Sequence, residues 1–425
     1  MTSAPEKTAV SSPDRIRAVQ RRTLAVLSAA QIVGGVGVAV GLALSSVVVD
    51  RLSGSTVISG FAGTATVLGA ALLALPTARA SGSGGRRAGL SLAYGAALTG
   101  SAISVLAITL HAWPLLLAGL VLVGGGSAGS LAARYAATDL SPRGRSARHL
   151  SLVVWASTIG SVAGPNLAKP ADQIGTRLGM VETAGPFAFA ALAFALALAV
   201  VLVLLRPDPL TLARSQNGAQ DARPGHQRTI RTAWQVLRTT PTARRALVMI
   251  AVSHTAMVSV MSMTPVKLHH DGSNLDVIGL VISLHIAGMY VLSPVVGWLA
   301  DKAGKVPVLL LGSALLLASA VLAGTAGHRV WQVTAALVLL GLGWSCGLVA
   351  GSALVTESVA LDRRPAVQGL SDLLMNVCGA TGTVVAGAIV GVLGYPTLGL
   401  VVGLMVAAAG LWLALTRPRS IPATR

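Results

Sequence analysis

Long apolar runs, broken by short charged or Gly- and Pro-containing stretches, recur along the whole chain. They fall at 23–49, 55–77, 88–110, 113–138, 149–168, 183–205, 245–266, 276–299, 306–326, 330–356, 368–392 and 396–416. A helix rises 1.5 Å per residue, so roughly 20 apolar residues cross the ~30 Å hydrocarbon core of a bilayer. Each run therefore predicts one spanning helix, twelve in all. The longer runs predict tilt, or ends that reach beyond the hydrocarbon. The fold class is all-α integral membrane.

Composition agrees with the pattern. Of the 425 residues 53% are hydrophobic and 11% charged, with mean hydropathy +0.74, where soluble domains carry roughly 25% charged residues. Cys346 and Cys378 both lie inside apolar runs. There a free thiol behaves as a small hydrophobe, and no disulfide framework is implied.

Charge changes the picture more. A net charge of +18 would fit nucleic acid if it formed a continuous basic face. It does not: the cations sit in short loops between apolar runs. With the N-terminus inside, 27 Lys and Arg fall on inner segments, and only Arg51, Lys169, Arg177, Lys267 and Arg329 fall outside. The positive-inside rule then predicts both termini in the cytoplasm of a plasma (inner) membrane protein, and lipid rather than nucleic acid as the surrounding partner. The run after the basic first 22 residues is too long for a signal peptide. The expected organisation is a tail at 1–22, a six-helix bundle at 23–205, a linker at 206–244, a second six-helix bundle at 245–416 and a tail at 417–425.

The linker opens with Ser215, Gln216, Asn217, Gly218, Gln220, Pro224 and Gly225, a flexible composition. Thr229–Thr239 follows, with Ile230, Trp234 and Leu237 at helical spacing among arginines. This predicts either a short amphipathic helix on the inner leaflet or a solvated connector. The two halves also repeat. Residues 120–126 (LVLVGGG) resemble 337–343 (LVLLGLG), Leu150-Ser151 resembles Leu370-Ser371, and Asp139 and Glu357 end equivalent spans. Three matches at nearly one offset imply duplication, and six-plus-six spans around a central loop is a secondary-transporter architecture.

Gly297-Trp-Leu-Ala-Asp301-Lys302-Ala-Gly304-Lys305, between spans eight and nine, resembles the loop signature of the major facilitator superfamily, G-x-x-x-D-[RK]-x-G-[RK]. The equivalent loop after span two keeps Gly85, Arg86 and Arg87 but has Gly82 where the family usually has Asp. Gly160-Ser-Val-Ala-Gly164-Pro165 in span five resembles the G-x-x-x-G-P motif of drug and proton antiporters, with Leu167-Ala168 in place of its trailing glycines. The chain departs from those antiporters at Leu120, where they usually carry an arginine.

The resemblance implies two pseudo-symmetric six-helix bundles that rock about a central site, with the charged loops clasping neighbouring helix ends in one state. Asp301 is then expected to accept from the exposed N–H groups opening span five, near Ser146–Leu150. Lys305 is expected to pair with Glu357, and Arg86 or Arg87 with Asp139. Gly160, Gly164 and Pro165 let span five bend and approach a neighbour closely; packing and function are not separable there from sequence.

Polar groups inside apolar runs mark the candidate pathway, because they are costly in lipid. His254 and His285 lie near mid-depth, and imidazole suits a coupled proton or a substrate contact; a neutral histidine bonded to a neighbouring helix is the alternative. Asp372 is expected as a gate partner for Arg148 or an N-terminal acid favoured by the helix dipole, and after that as a proton carrier. Gln31, Asn166 and Asn376 can bind substrate or bond between helices. His269-His270-Asp271 is expected as a solvated outer loop without metal, since metal-binding pairs on a helix prefer i, i+4 spacing.

Enzyme chemistry is not indicated. No G-x-x-x-x-G-K-[ST] loop occurs, and Gly124–Gly129 matches G-x-G-x-x-G only inside an apolar span, where it serves helix packing. No cofactor is implied. The expected function is alternating-access transport of a small organic molecule, with protons as the coupling ion. Efflux of a lipophilic or amphipathic compound comes first. A proton-coupled importer, or a sensor that kept the fold without transport, stands as the alternative.

Overall fold

In a computed structural model the chain is described over residues 12–142, 144–216 and 229–416. Its helices are α1 (Pro13–Ser53), α2 (Thr56–Ser59), α3 (Phe61–Thr109), α4 (Trp113–Ala136), α5 (Ser146–Arg177), α6 (Ala184–Leu204), α7 (Pro209–Gln216) and α8 (Thr229–Thr239). They continue as α9 (Pro241–His270), α10 (Leu275–Tyr290), α11 (Ser293–Ala303), α12 (Lys305–Thr325), α13 (Val330–Ser358), α14 (Arg364–Leu393) and α15 (Tyr395–Leu415). Among the described residues eleven stretches are long and apolar enough to cross a membrane. The 49-residue α3 is two helices run together across a non-helical Gly85, which accounts for the twelfth span.

Several boundaries differ from expectation, each for a local reason. The first helix starts ten residues early because Ser12 accepts from Arg15 N–H and Pro13 sits in its first turn. The expected loop between spans two and three shrinks to a bend at Gly85 (φ 83°, ψ 176°), backbone that only glycine adopts freely. Gly304 (φ 97°, ψ 153°) makes the same bend between α11 and α12. The eighth span is broken into α10 and α11 just before Ser293-Pro294, where a proline opens the second piece. Ser215 and Gln216 end α7, while 217–225 of the expected linker lies outside the described residues.

The helices pack as two groups, α1–α7 and α8–α15. The repeated glycines explain why each group closes. A Cβ on Gly125 of α4 would lie 2.5 Å from Ala93 O of α3, and one on Gly341 of α13 would lie 2.5 Å from His285 O of α10. Both helices press backbone to backbone on their neighbours, a contact that any larger residue would push apart. The terminal stretch of basic loops lies at one end of both groups, called here the basic end.

The amphipathic α8 differs in which face it buries. Ala233, Val236 and Leu237 pack into the core of the second group, while Ile230 and Trp234 are exposed and Arg238 lies over the Trp234 ring.

Candidate functional site

The two groups meet along the basic end, and α14 organises the seam. Its residues Gln368, Asp372, Met375 and Gly379 follow one another at helical spacing on a single face. Each marks a deeper layer of polar contacts with the other group or across the site.

The outermost layer is set by the two loop signatures. Asp301, at the end of α11, accepts from Ala147 N at 3.2 Å and Arg148 N at 3.0 Å, the free N–H groups of the first turn of α5. Lys305 lies 2.8 Å from Glu357 and 3.4 Å from Asp301, and Ser146 donates to Glu357. On the first-half side Arg86 grips Asp139 with two bonds, at 2.6 and 3.0 Å, and its Nη2 donates to Gln368 Oε1 at 2.7 Å. Both partners are almost fully buried. The three contacts expected of the charged loops are present in the structure, with Arg86 as the Asp139 partner. Arg87 does not share that role: its backbone N–H donates to Asp208 at 2.7 Å.

Beneath this layer Arg134 of α4 reaches Asp372 of α14 at 2.8 Å, with side chains only 2% and 6% exposed. Tyr135 O–H donates to Ser371 at 3.1 Å beside it. This corrects the expected partner of Asp372. Arg148 stays at the outer end of α5, whereas Asp372 is two turns inside α14, about 12 Å along its axis at 1.5 Å per residue. By sequence Arg134 reads as one of the topology-setting cations, because it lies near the inner end of the run 113–138. The available signal was its flanks, Ala132-Ala133 and Tyr135-Ala136-Ala137, which offer no solvated neighbours. Leu120 itself is apolar, and Arg134 lies fourteen residues beyond it, ~21 Å further along the helix, so it does not stand in the place of the antiporter arginine.

One layer deeper lies an aromatic and imidazole cluster. Trp344 Nε1 donates to His254 Nδ1 at 3.1 Å, and Tyr290 meets Trp344 edge to face with ring centroids 5.7 Å apart. A Cβ on Gly379 would lie 3.0 Å from His254 Nε2, so the missing side chain leaves that nitrogen room. His254 and Asn376 are both partly exposed, and Asn376 donates to Asp372 O at 2.8 Å. Asp372 and Asn376 are thus one turn apart on α14, and His254 meets the same helix at Gly379, a turn further on; Arg134, Trp344 and Tyr290, which contact Asp372, His254 and Trp344 in turn, are not singled out by the sequence.

The other candidates sit elsewhere. His285 is fully buried between α10 and α13, with Nδ1 2.8 Å from Leu337 O, and acts there as a packing residue. Gln31 donates to Ser130 and to Ser157, the latter at 2.7 Å, tying α1 to α4 and α5 within one group. Asn166 is exposed and donates to Val162 O of its own helix at 2.7 Å. In the Gly-Pro motif, a Cβ on Gly160 would lie 2.9 Å from Gly35 C, and one on Gly164 would lie 3.2 Å from Ala39 C. The motif lets α5 lie against α1; Pro165 is exposed.

At the opposite end Asp271 bonds Lys267 and lies 2.9 Å from His328 Nδ1. Burial pushes its carboxyl up, but Lys267 and His328 outweigh that and hold it below the ordinary range. The expected loop is thus mostly helix: His269 and His270 end α9, and Asp271 just beyond them carries the ion pairs; no metal-holding cluster occurs among the described residues.

A cavity of about 630 Å³ opens at the basic end. Asp139, Ser146, Gln216, Thr356, Glu357 and Arg364 are among its lining residues. Neither His254 nor Asn376 is among its lining residues. Two buried ion pairs, Arg86–Asp139 and Arg134–Asp372, are stacked between the halves towards the basic end.

Comparison with known proteins fits this geometry. Residues 26–276 and 246–425 match the family described as Major Facilitator Superfamily. The chain is 35% identical over 397 residues to the uncharacterized MFS-type transporter YdeG of Bacillus subtilis (strain 168), covering 93% of this chain and 92% of that protein. It is 28% identical over 386 residues to the riboflavin transporter RfnT of Brucella anthropi, covering 89% and 91%. The human organic anion transporter MFSD10 (TETRAN) superposes with a TM-score of 0.72 at 16% identity, covering 95% of this chain and 100% of that structure, a likeness of fold.

Proposed function

The chain belongs to the major facilitator superfamily, and on that footing we propose that it is a proton-coupled exporter of a lipophilic or amphipathic small organic molecule in the plasma membrane. The membrane transporter is the part its relatives establish; coupling, direction and substrate class are the reading advanced here. The basic end faces the cytoplasm, as the lysine and arginine distribution favours. The structure is then an outward-facing state, with the cytoplasmic gate shut.

The observation that carries this reading is the Arg134–Asp372 pair bridging the halves directly below His254. Breaking a buried ion pair by removing one charge costs about 3–5 kcal/mol. A proton delivered to Asp372 removes its charge, so it weakens the seam and favours opening towards the cytoplasm. Substrate above, at His254, Trp344 and Tyr290, meets aromatic faces and few polar groups. That suits an amphipathic ring compound better than a sugar or a multiply charged anion.

A second reading is uptake of a planar heteroaromatic metabolite. It is supported by the similarity to a protein named a riboflavin transporter and by the Tyr290–Trp344 edge-to-face pair.

The test is a growth-inhibition panel of antibiotics and dyes in a bacterial host lacking its main efflux pumps. Wild type and Asp372→Asn are compared at matched membrane levels. Export predicts raised tolerance to some compounds, abolished by Asp372→Asn. Unchanged tolerance to every compound, with the protein present in the membrane, rules out broad export and directs the search to uptake of single metabolites.

A further inference from the structure

The two loop signatures share the bend glycine and the cation after it, Gly85-Arg86 and Gly304-Lys305, but the first lacks the acid, and the structure shows what stands near the loss. In the second half Asp301 belongs to the loop itself and reaches across to the first turn of α5. In the first half the corresponding position is Gly82, which has no carboxylate to offer. A Cβ there would lie 3.8 Å from Pro365 at the start of α14, so the space is open to one.

The carboxylate near this bend comes from outside the loop. Asp208 follows α6, and its Oδ2 accepts from Arg87 N at 2.7 Å, capping the helix that restarts after Gly85. Its Oδ1 accepts from Leu210 N at 3.0 Å and Thr211 N at 3.1 Å, capping α7 as well. The Asp208 carboxyl carbon lies 2.5 Å from where a Gly85 Cβ would be, so glycine is needed there for contact as well as for φ. From the far end of α7, Arg214 Nη1 donates to Gly82 O at 2.8 Å, one of the last carbonyls before the bend. One short helix thus sets an anion on the N-terminus of span three and a cation on the C-terminus of span two. Both signs complement the helix dipoles.

We propose that α7 is a brace for the gate, in which Asp208 and Arg214 fix the bend at Gly85 and so position Arg86 for its bonds to Asp139 and Gln368. The proposal rests on the gate reading given above. Arg86 is the residue next to the bend, and its bidentate grip requires the loop backbone to hold one orientation. Leu210 and Ala213 are buried, which seats α7 on the first group. The brace travels with that half, and what crosses the seam is Arg86. Asp208 and Arg214 are positioning residues; neither touches the other half in the contacts described.

The experiment uses the full chain with Cys346→Ala and Cys378→Ala, carrying Thr138→Cys and Thr356→Cys. The native hydroxyls of this pair are 3.5 Å apart across the seam, so disulfide formation under mild oxidation reports closure without any substrate. Asp208→Ala should slow cross-linking about fivefold, the size of one lost helix cap. Asp208→Glu should retain the wild-type rate. Adding Gly82→Asp to Asp208→Ala should recover much of it, because the acid then reaches the start of α14 as Asp301 reaches α5.

Unchanged cross-linking in Asp208→Ala overturns the brace. If that variant aggregates, Asp208→Asn and Arg214→Met decide, and wild-type rates in both overturn it. A lowered melting temperature without slower cross-linking also counts against it. Arg86→Ala is the control for the underlying reading: if it does not slow cross-linking, the gate assignment itself fails, separately from the brace.

Discussion

The hydroxyl oxygens of Thr138 and Thr356 face each other 3.5 Å apart across the seam, 218 residues apart in the chain. Their neighbours Asp139 and Glu357 each take a cation from the loop of their own half, Arg86 and Lys305. Equivalent positions of the repeat are therefore brought face to face at the basic end.

The two pairs are equivalent in position but unequal in burial, and the difference sets their effects. Arg86 and Asp139 are 3% and 0% exposed, while Glu357 is 36% exposed. Removing one partner of a buried pair costs about 3–5 kcal/mol, against about 0–1 kcal/mol for a solvated one. Asp139→Asn should open the basic end far more than Glu357→Gln. Distances between spin labels at Ser141 and Leu361 would show it.

Arg134 and Asp372 should depend on each other. Arg134→Met alone strands a carboxylate and Asp372→Leu alone strands a guanidinium. The double variant leaves neither, and replacing both charges by apolar groups is often close to neutral. The expected order of melting temperatures is wild type close to the double variant, and both above either single one. Thermal unfolding in detergent checks this. All three variants should lose driven transport.

The two mid-span histidines should separate. His254→Ala removes the acceptor for Trp344 Nε1 beside the exposed cluster, and should raise the apparent KM for any transported compound with little loss of stability. His285→Leu removes a buried bond to Leu337 O and should destabilise by about 1–3 kcal/mol while leaving KM unchanged. Transport kinetics and thermal unfolding of the two variants distinguish these outcomes.

The Gly-Pro motif should be sensitive to a single methyl. A Cβ at Gly160 would lie 2.9 Å from Gly35 C and Val36 N, both backbone, which cannot move aside without shifting α1. Gly160→Ala should cost about 1–3 kcal/mol as overpacking. At Gly95, where nothing lies within 4 Å of a Cβ, alanine should be tolerated. Yield of monodisperse protein and melting temperature give the comparison.

Much of this arrangement was legible in the sequence because membrane folding writes it in composition. Twelve apolar runs, the loop signatures and the Asp139–Glu357 repeat are visible there; the family resemblance adds the contacts of Asp301 and Lys305, and leaves Asp139 to either Arg86 or Arg87. Arg134 was not legible, because a cation near a helix end looks the same whether it faces water or reaches inward; only the approach of α14 decides. Trp344 and Tyr290 were missed for a similar reason. An aromatic residue in an apolar run carries no mark of which neighbour it meets. Asn166 and His285 illustrate the converse: polarity within a span shows that a partner is needed, and the partner was a backbone carbonyl.

The central claim is that the His254–Asn376 cluster opens to one side at a time, with the basic-end gate deciding which. The most direct measurement labels a single cysteine, Asn376→Cys in the background lacking Cys346 and Cys378, with a membrane-impermeant thiol reagent. The reagent is applied to right-side-out cells and to inverted vesicles. Rapid labelling from outside is expected with the gate intact, and new labelling from the cytoplasmic side once Asp139→Asn is added. Labelling from the cytoplasmic side alone with the gate intact, or no response to Asp139→Asn from either side, would contradict it.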